Sequence, residues 1–172
     1  MRMMGMLLLV PLGACAPSLQ VYTHADRDAS LEGLHSFAIG SAEAAPSGYR
    51  RGSVAAEVTR LVDDSATGVL TAKGYVTAPV DSADLVVRVG VGQRQKVEAP
   101  IQQQDSTGDQ VAIADLDGPF IYTEQELVID VFNGKTSRRV WHGAARGLIE
   151  PGNIDRAAIK QAVERMLASF PH

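Results

Sequence analysis

Several residue patterns in this chain could carry chemistry. Gly134-Lys135-Thr136 ends like a phosphate-binding loop. Such a loop needs a glycine five residues earlier, a strand before it and a helix after it, so that helix N-terminal amides face the phosphate. Ile129 stands at the glycine position, and the segment separates two strand-like stretches, so no nucleotide is expected. Gly90-Val91-Gly92 opens like a dinucleotide fingerprint, but Gln95 occupies the third glycine position. Glycines inside a strand read instead as a close backbone approach or a bulge. The four histidines are His24, His35, His142 and His172, and none forms an i,i+4 helical metal pair. His24 and His35 would meet only if the first two strands pair, with Asp26 or Asp28 beside them. Solvated strand ends are the simpler reading, and neither a metal nor another cofactor is expected. No Gly-x-Ser-x-Gly elbow presents a nucleophile, and the serines fall in loops and caps. Asp63/Asp64 and Asp115/Asp117 are paired carboxylates, but no spacing argues for a cleft that would separate their pKa values. Asp63/Asp64 reads as the wet face of a helix. Trp141 reads as a sheet anchor, with His142 beside it as a pocket-lining alternative. Enzymatic activity is therefore not expected.

The one residue whose position points to a definite chemistry is Cys15. Arg2 gives the N-terminus a positive start, and Met6 to Ala14 is apolar. Nine helical residues span about 14 Å, roughly half a bilayer core, which suits a signal-peptide core and not a membrane span. Leu12-Gly13-Ala14-Cys15 follows directly and looks like the lipobox of bacterial lipoproteins. That resemblance implies cleavage between Ala14 and Cys15 and a diacylglycerol thioether on Cys15. Two acyl chains suffice for stable anchoring. Ala16 follows the cysteine, not the aspartate associated with inner-membrane retention, which implies an outer-membrane address facing the periplasm.

Composition narrows the rest. The chain has 172 residues, 45% apolar and 21% charged, the profile of one globular domain. Its net charge of -4 argues against nucleic acid as a partner. A single cysteine excludes a disulfide framework.

The elements that must position these residues follow from periodicity. Leu19 to His24 and Leu34 to Gly40 alternate as strands. Residues 41–52 are loop-like. Ser53 is placed as N-cap of a helix whose stripe is Val54, Val58, Leu61, Val62, Val69 and Leu70, with Gly74 closing it. Tyr75 to Pro79 reads as an extended link, and Ala83 to Val91 as a strand. Gln93 to Gly118 is glutamine-rich and reads as a long exposed hairpin end or loop. Ile121 to Phe132 and Arg138 to Ile149 are strands around an Asn133-Gly134 turn. Asn153 is placed as cap of a last helix, with Ile159, Ala162, Val163, Met166, Leu167 and Phe170 on its apolar face. The expected fold is α+β: a two-layer sandwich of a mostly antiparallel sheet of about five strands, with both amphipathic helices on one face. The expected organisation is a signal peptide over 1–14, a lipidated tether over 15–18 and a single domain over 19–172.

The stretch from Tyr122 through Val140-Trp141-His142-Gly143 resembles the signature hairpin of lipoproteins in the domain-of-unknown-function 4136 family. An acidic-ended strand, a Lys-Thr turn, Val-Trp and a glycine carry the likeness. Val21 through Ile39, Lys73-Gly74-Tyr75 before Ala83-Asp84-Leu85-Val86-Val87, and Ala168-Ser169-Phe170-Pro171 resemble further blocks of it. The resemblance implies the fold and the address, and brings no activity.

The expected function is a membrane-anchored, non-enzymatic binding or scaffold module. Its expected partner is an envelope protein met through the polar loop at Gln102, Gln103, Gln104 and Asp105. Two alternatives are an accessory subunit of an envelope transport or assembly system holding a lipid or other hydrophobic ligand between sheet and helices, and a hydrolase. Mass spectrometry of the chain from native membranes should find Cys15 at the N-terminus with a lipid adduct. Cys15→Ser should move the protein out of the membrane fraction; an unmodified Cys15 would sink the anchor.

Overall fold

The computed structural model describes residues 19–98, 102–104, 110–112, 120–148 and 154–171. Ala14, Cys15, Asp105 and Asn153 lie outside them. In chain order the elements are β1 (Gln20–Ala25), β2 (Ser36–Ile39), α1 (Ala55–Ala72), β3 (Val76–Thr77), β4 (Leu85–Glu98), β5 (Gln102–Gln104), β6 (Gln110–Ala112), β7 (Phe120–Asn133), β8 (Arg139–Leu148) and α2 (Arg156–Ala168). Six strands form one sheet in the order β1-β8-β7-β4-β2-β3, and β5 pairs with β6 separately. The architecture is α+β, as the pattern predicts.

The sheet is mixed but mostly antiparallel, as expected: β1–β8, β8–β7 and β7–β4 are antiparallel pairs. β2 runs parallel to both β3 and β4. Parallel neighbours need a long crossover connection, and α1 supplies it between β2 and β3. The extended link at Tyr75 to Pro79 thus contains an edge strand. β1 pairs with β8 and not with β2, so three strands separate His24 from His35.

Alternation divides the long strands. Leu85, Val87, Val89 and Val91 of β4 share one face with Leu127, Ile129 and Val131 of β7. Both helices pack there, through Val58, Val62, Ala66 and Leu70 of α1 and Ile159, Val163, Met166 and Leu167 of α2. Trp141 is fully buried and meets Phe170 edge-on at 5.7 Å. Tyr75 also meets Phe170, with its ring tilted by 51° at 5.7 Å. The Trp141 ring lies over Gly143 on its own strand, where an added Cβ would come within 2.3 Å of it.

Helix ends show where local signals hold. Gly74 has φ +95°, the Gly74 amide donates to Thr71 O, and the Tyr75 amide donates to Leu70 O. That is a Schellman stop. The start differs from expectation: Val54, not Ser53, sits at the N-cap and makes no side-chain cap bond. The Gly52 carbonyl takes the Ala55 amide instead. In α2 Asp155, not Asn153, is the cap, accepting from the Ala158 amide at 2.9 Å. Lys73 Nζ donates to Phe170 O at 2.8 Å, which joins the ends of the two helices. Asp63 is not simply wet: partial burial, with Asp64 beside it, pushes its carboxyl up to about 6.

The Asn133-Gly134 turn is present, with its roles redistributed. Asn133 Oδ1 accepts from the Lys135 and Thr136 amides, each at 3.0 Å. Ser137 takes the left-handed conformation at φ 54°. Gly134 is required for proximity: a Cβ there would meet Ala83 O at 2.1 Å. In the polar segment after Val91 the structure takes the hairpin-end alternative and not the loop as far as Glu98. β4 continues to Glu98 and pairs with β7 throughout, because ladder hydrogen bonds do not depend on side-chain polarity.

Gly143→Ala should destabilise the protein by about 1–3 kcal/mol, the usual cost of overpacking. Chemical denaturation followed by Trp141 fluorescence measures it. A change under about 0.5 kcal/mol would show that the ring does not depend on that glycine.

Candidate functional site

The face of the sheet away from the helices carries the unusual chemistry. On β7 the even positions Glu124, Glu126 and Asp130 point there, opposite Leu127, Ile129 and Val131. Glu126 and Asp130 are each only 4% exposed. A buried carboxylate without a partner costs several kcal/mol, and each of these has one on a neighbouring strand. Arg146 Nε donates to Glu126 Oε1 at 2.6 Å. Arg94 Nε donates to Glu124 Oε2 at 2.6 Å. Arg139 Nη1 and the His142 Nδ1 meet Asp130 Oδ1 at 3.2 and 2.8 Å.

The arginines also stack on aromatic rings. Arg94 lies 4.6 Å from the Tyr49 centroid, Arg146 5.8 Å from Tyr22 and Arg88 4.8 Å from Phe132. Planar guanidinium suits this double use, pairing at its edge and stacking on its face.

Glycines let a loop settle on this surface. A Cβ at Gly92 would fall 2.5 Å from Tyr49 Cβ and 2.9 Å from Pro46 Cδ. One at Gly90 would fall 3.3 Å from Ala44 O. The Gly90-Val91-Gly92 pattern is therefore a close backbone approach, as its place in a strand predicts. The Glu43 amide donates to Val89 O at 2.9 Å, and Arg50 bridges to Gln93 in both directions. Tyr49 then reaches across to Glu124, its hydroxyl donating at 2.7 Å.

Beside that loop lies an open cleft of about 500 Å³, lined by Glu43, Ala44, Ala45, Pro46, Ser47, Gly90, Val128, Asp130 and His142. Its size is that of a small-ligand site. Ala44, Ala45, Pro46, Gly90 and Val128 give the cleft small apolar walls, and Glu43, Ser47 and the Asp130–His142 pair are its polar groups. A carboxylate on Nδ1 fixes the imidazole tautomer and leaves Nε2 for another partner. No hydrogen bond joins Ser47 to His142 among the described residues.

Electrostatics follow from these contacts. Burial raises the Tyr49 hydroxyl to about 12, and its hydrogen bond to Glu124 adds to the shift. Burial opposes ionisation of Glu124, but the Tyr49 hydroxyl and Arg94 outweigh it and hold the carboxyl below its usual value. Hydrogen bonding to Glu126 raises Arg146 despite its desolvation. Elsewhere, Asp84 is held below its usual value by the Ser36 hydroxyl and the His35 and Ser36 amides, a clasp at the start of β2.

The residues expected to act do not gather here. Gln102, Gln103 and Gln104 form β5, paired with β6. Ala14, Cys15 and Asp105 fall outside the described residues. His35 lines a separate surface hollow with Leu31, Leu34 and Lys73. The sequence reading missed Glu124, Glu126 and Asp130. Their signal was present as period-two alternation against Leu127, Ile129 and Val131. Trp141 is core as expected, and its neighbour His142 points the other way and lines the cleft.

Tyr49→Phe should cost about 1 kcal/mol at pH 7, the worth of one hydrogen bond to a charged group with a discount for partial exposure. Glu124 has a lowered folded pKa, so its contribution is present above the unfolded carboxylate value and fades as pH falls through the folded one. Tyr49→Phe should therefore raise the midpoint of acid unfolding, measured by circular dichroism. An unchanged midpoint would remove Glu124 from the acid limb.

Among curated proteins no relative matches the chain. A solved PDZ domain protein from Parabacteroides distasonis is 13% identical with a TM-score of 0.56, over 91% of this chain. The match covers 37% of that protein's chain, so the likeness shows a shared fold over a part of it. A protein of the DUF4136 family from Bacteroides thetaiotaomicron matches at 16% identity and TM-score 0.48, over 89% of this chain and 96% of that one. PelC from Paraburkholderia phytofirmans matches at 12% identity and TM-score 0.48, over 87% and 95%. The family model described as Domain of unknown function (DUF4136) matches residues 21–172, and the chain belongs to that family.

Proposed function

We propose that this protein is a non-enzymatic binding module, tethered through lipid on Cys15 to the outer membrane and facing the periplasm. The observation that carries the binding role is the one-sided cover of the sheet. Helices occupy one face, and the other keeps a cleft of about 500 Å³ beside a buried row of ion pairs. Two further features favour a protein partner. The outer side of β1 pairs with no described strand, so an extended peptide could add there. The β5–β6 pair, which carries Gln102, Gln103 and Gln104, stands apart from the main sheet's ladder. The tether supports close docking: β1 begins five residues after Cys15, a reach of at most roughly 17 Å.

Carriage of a lipid between sheet and helices is the weaker alternative. Phe37, Leu85, Ile129, Trp141, Met166, Leu167 and Phe170 are fully buried in that space. The hydrolase alternative draws on the Asp130–His142 pair and on Ser47 in the same cleft. It requires a Ser47–His142 contact on substrate binding, and labelling of Ser47 by an organophosphate probe would favour it over the binding module.

Tagged protein purified from mild-detergent extracts of its native membrane should bring down a stoichiometric envelope protein. Deleting Gln102 to Gly108 should reduce that recovery several-fold without lowering the thermal midpoint. Full recovery with the deletion would remove the hairpin from the interface. Recovery of lipidated protein alone would overturn the protein-partner reading and leave the cleft as a small-molecule site.

A further inference from the structure

Two histidines distant in sequence become direct neighbours. His24 of β1 stands opposite His142 of β8. The Asp26 amide donates to Val140 O at 3.0 Å, which makes 26–140 a hydrogen-bonded pair. Pair types alternate along an antiparallel ladder, so His24–His142 belongs to the same class, with Cα atoms about 5.5 Å apart. Both side chains leave the sheet on the face away from the helices, as Trp141 goes to the other. Behind His142, on the next strand, stands Asp130, 2.8 Å from Nδ1. A carboxylate that orients a histidine through one ring nitrogen, leaving the other for a metal, is the recurrent support of metal-binding imidazoles. Arg139 donates to the same carboxylate oxygen at 3.2 Å and holds it in place. His24 is exposed and His142 half-buried, so an ion can reach both.

We propose that His24 and His142 form a two-histidine seat for a divalent transition-metal ion, Cu(II) or Zn(II), with Asp130 as the positioning residue for His142. Cross-strand imidazoles at this spacing can meet one ion at nitrogen distances of about 2.0–2.1 Å. Imidazole donors suit both ions, and Cu(II) stands highest in the affinity order. Among the described residues no group of three or more His, Cys, Asp or Glu converges to hold a metal. The protein therefore supplies two donors, and water or an incoming ligand completes the shell. That is an open, exchangeable site, unlike a four-ligand structural one. His142 also lines the cleft beside Glu43 to Ser47, so the ion would border it.

The test uses the full chain carrying Cys15→Ser, which removes the competing thiol, titrated separately with Cu(II) and with Zn(II). Calorimetry should show one saturable ion, and electron paramagnetic resonance of the copper form should show two nitrogen ligands. His24→Ala and His142→Ala should each weaken binding at least tenfold, while His35→Ala and His172→Ala leave it unchanged. Asp130→Asn should weaken binding roughly 10- to 100-fold, the usual effect of losing such a support, and keep both nitrogens. His24 is exposed, so His24→Ala should leave the unfolding curve unchanged and remains decisive even if His142→Ala misfolds. Absence of a saturable ion, or binding that survives His24→Ala, would overturn the site.

Discussion

The structure depends on the two-sidedness of β7. Its odd positions, Leu127, Ile129 and Val131, fill the core against both helices, while Glu124, Glu126 and Asp130 occupy the other face. A shift of one residue in its pairing would drive buried carboxylates into the helix layer and core side chains out. The cost of burying unpaired charge makes that register compulsory. Because β7 is flanked by β4 and β8, its register also sets which residues of those strands must answer it. Arg94 from one side and Arg139, His142 and Arg146 from the other are those answers.

The same face shows how glycine and arginine divide labour. Gly90 and Gly92 remove side chains from β4 and admit the loop that brings Tyr49 to Glu124. The arginines cover the remaining surface by pairing at their edges and stacking on Tyr22, Tyr49 and Phe132. The result is a sheet face whose carboxylates Glu126 and Asp130 are buried beneath partly exposed arginines, with the cleft at Asp130 and His142 beside them. A surface of this kind is pre-organised, since its charged side chains are already held by partners.

Much of the fold was legible because it rests on local signals. Two amphipathic stripes and the runs in β4, β7 and β8 marked the helices and long strands. Gly74 marked the end of α1, and Trp141 read as a sheet anchor. Less legible were elements set by partners distant in sequence. β3 has two residues, both exposed, and exists because β2 offers it a ladder. The cap of α1 passed from Ser53 to a backbone carbonyl because the preceding loop is tied to β4. The outer half of β4 was hidden by its glutamines, since strand pairing there is carried by the backbone of β7.

The sequence by itself determined the α+β class, the two helical stripes, the alternation of the long strands, the family likeness and the expectation of a lipid on Cys15. These follow from periodicities and motifs that act within a few residues. Only the tertiary structure decided that β1 lies against β8 and that β2 runs parallel to β4. It alone brought His24, His142 and Asp130 into one row. The physical reason is that strand neighbours are chosen by the global burial of faces. Periodicity states which way a side chain points, but not which strand will stand beside it.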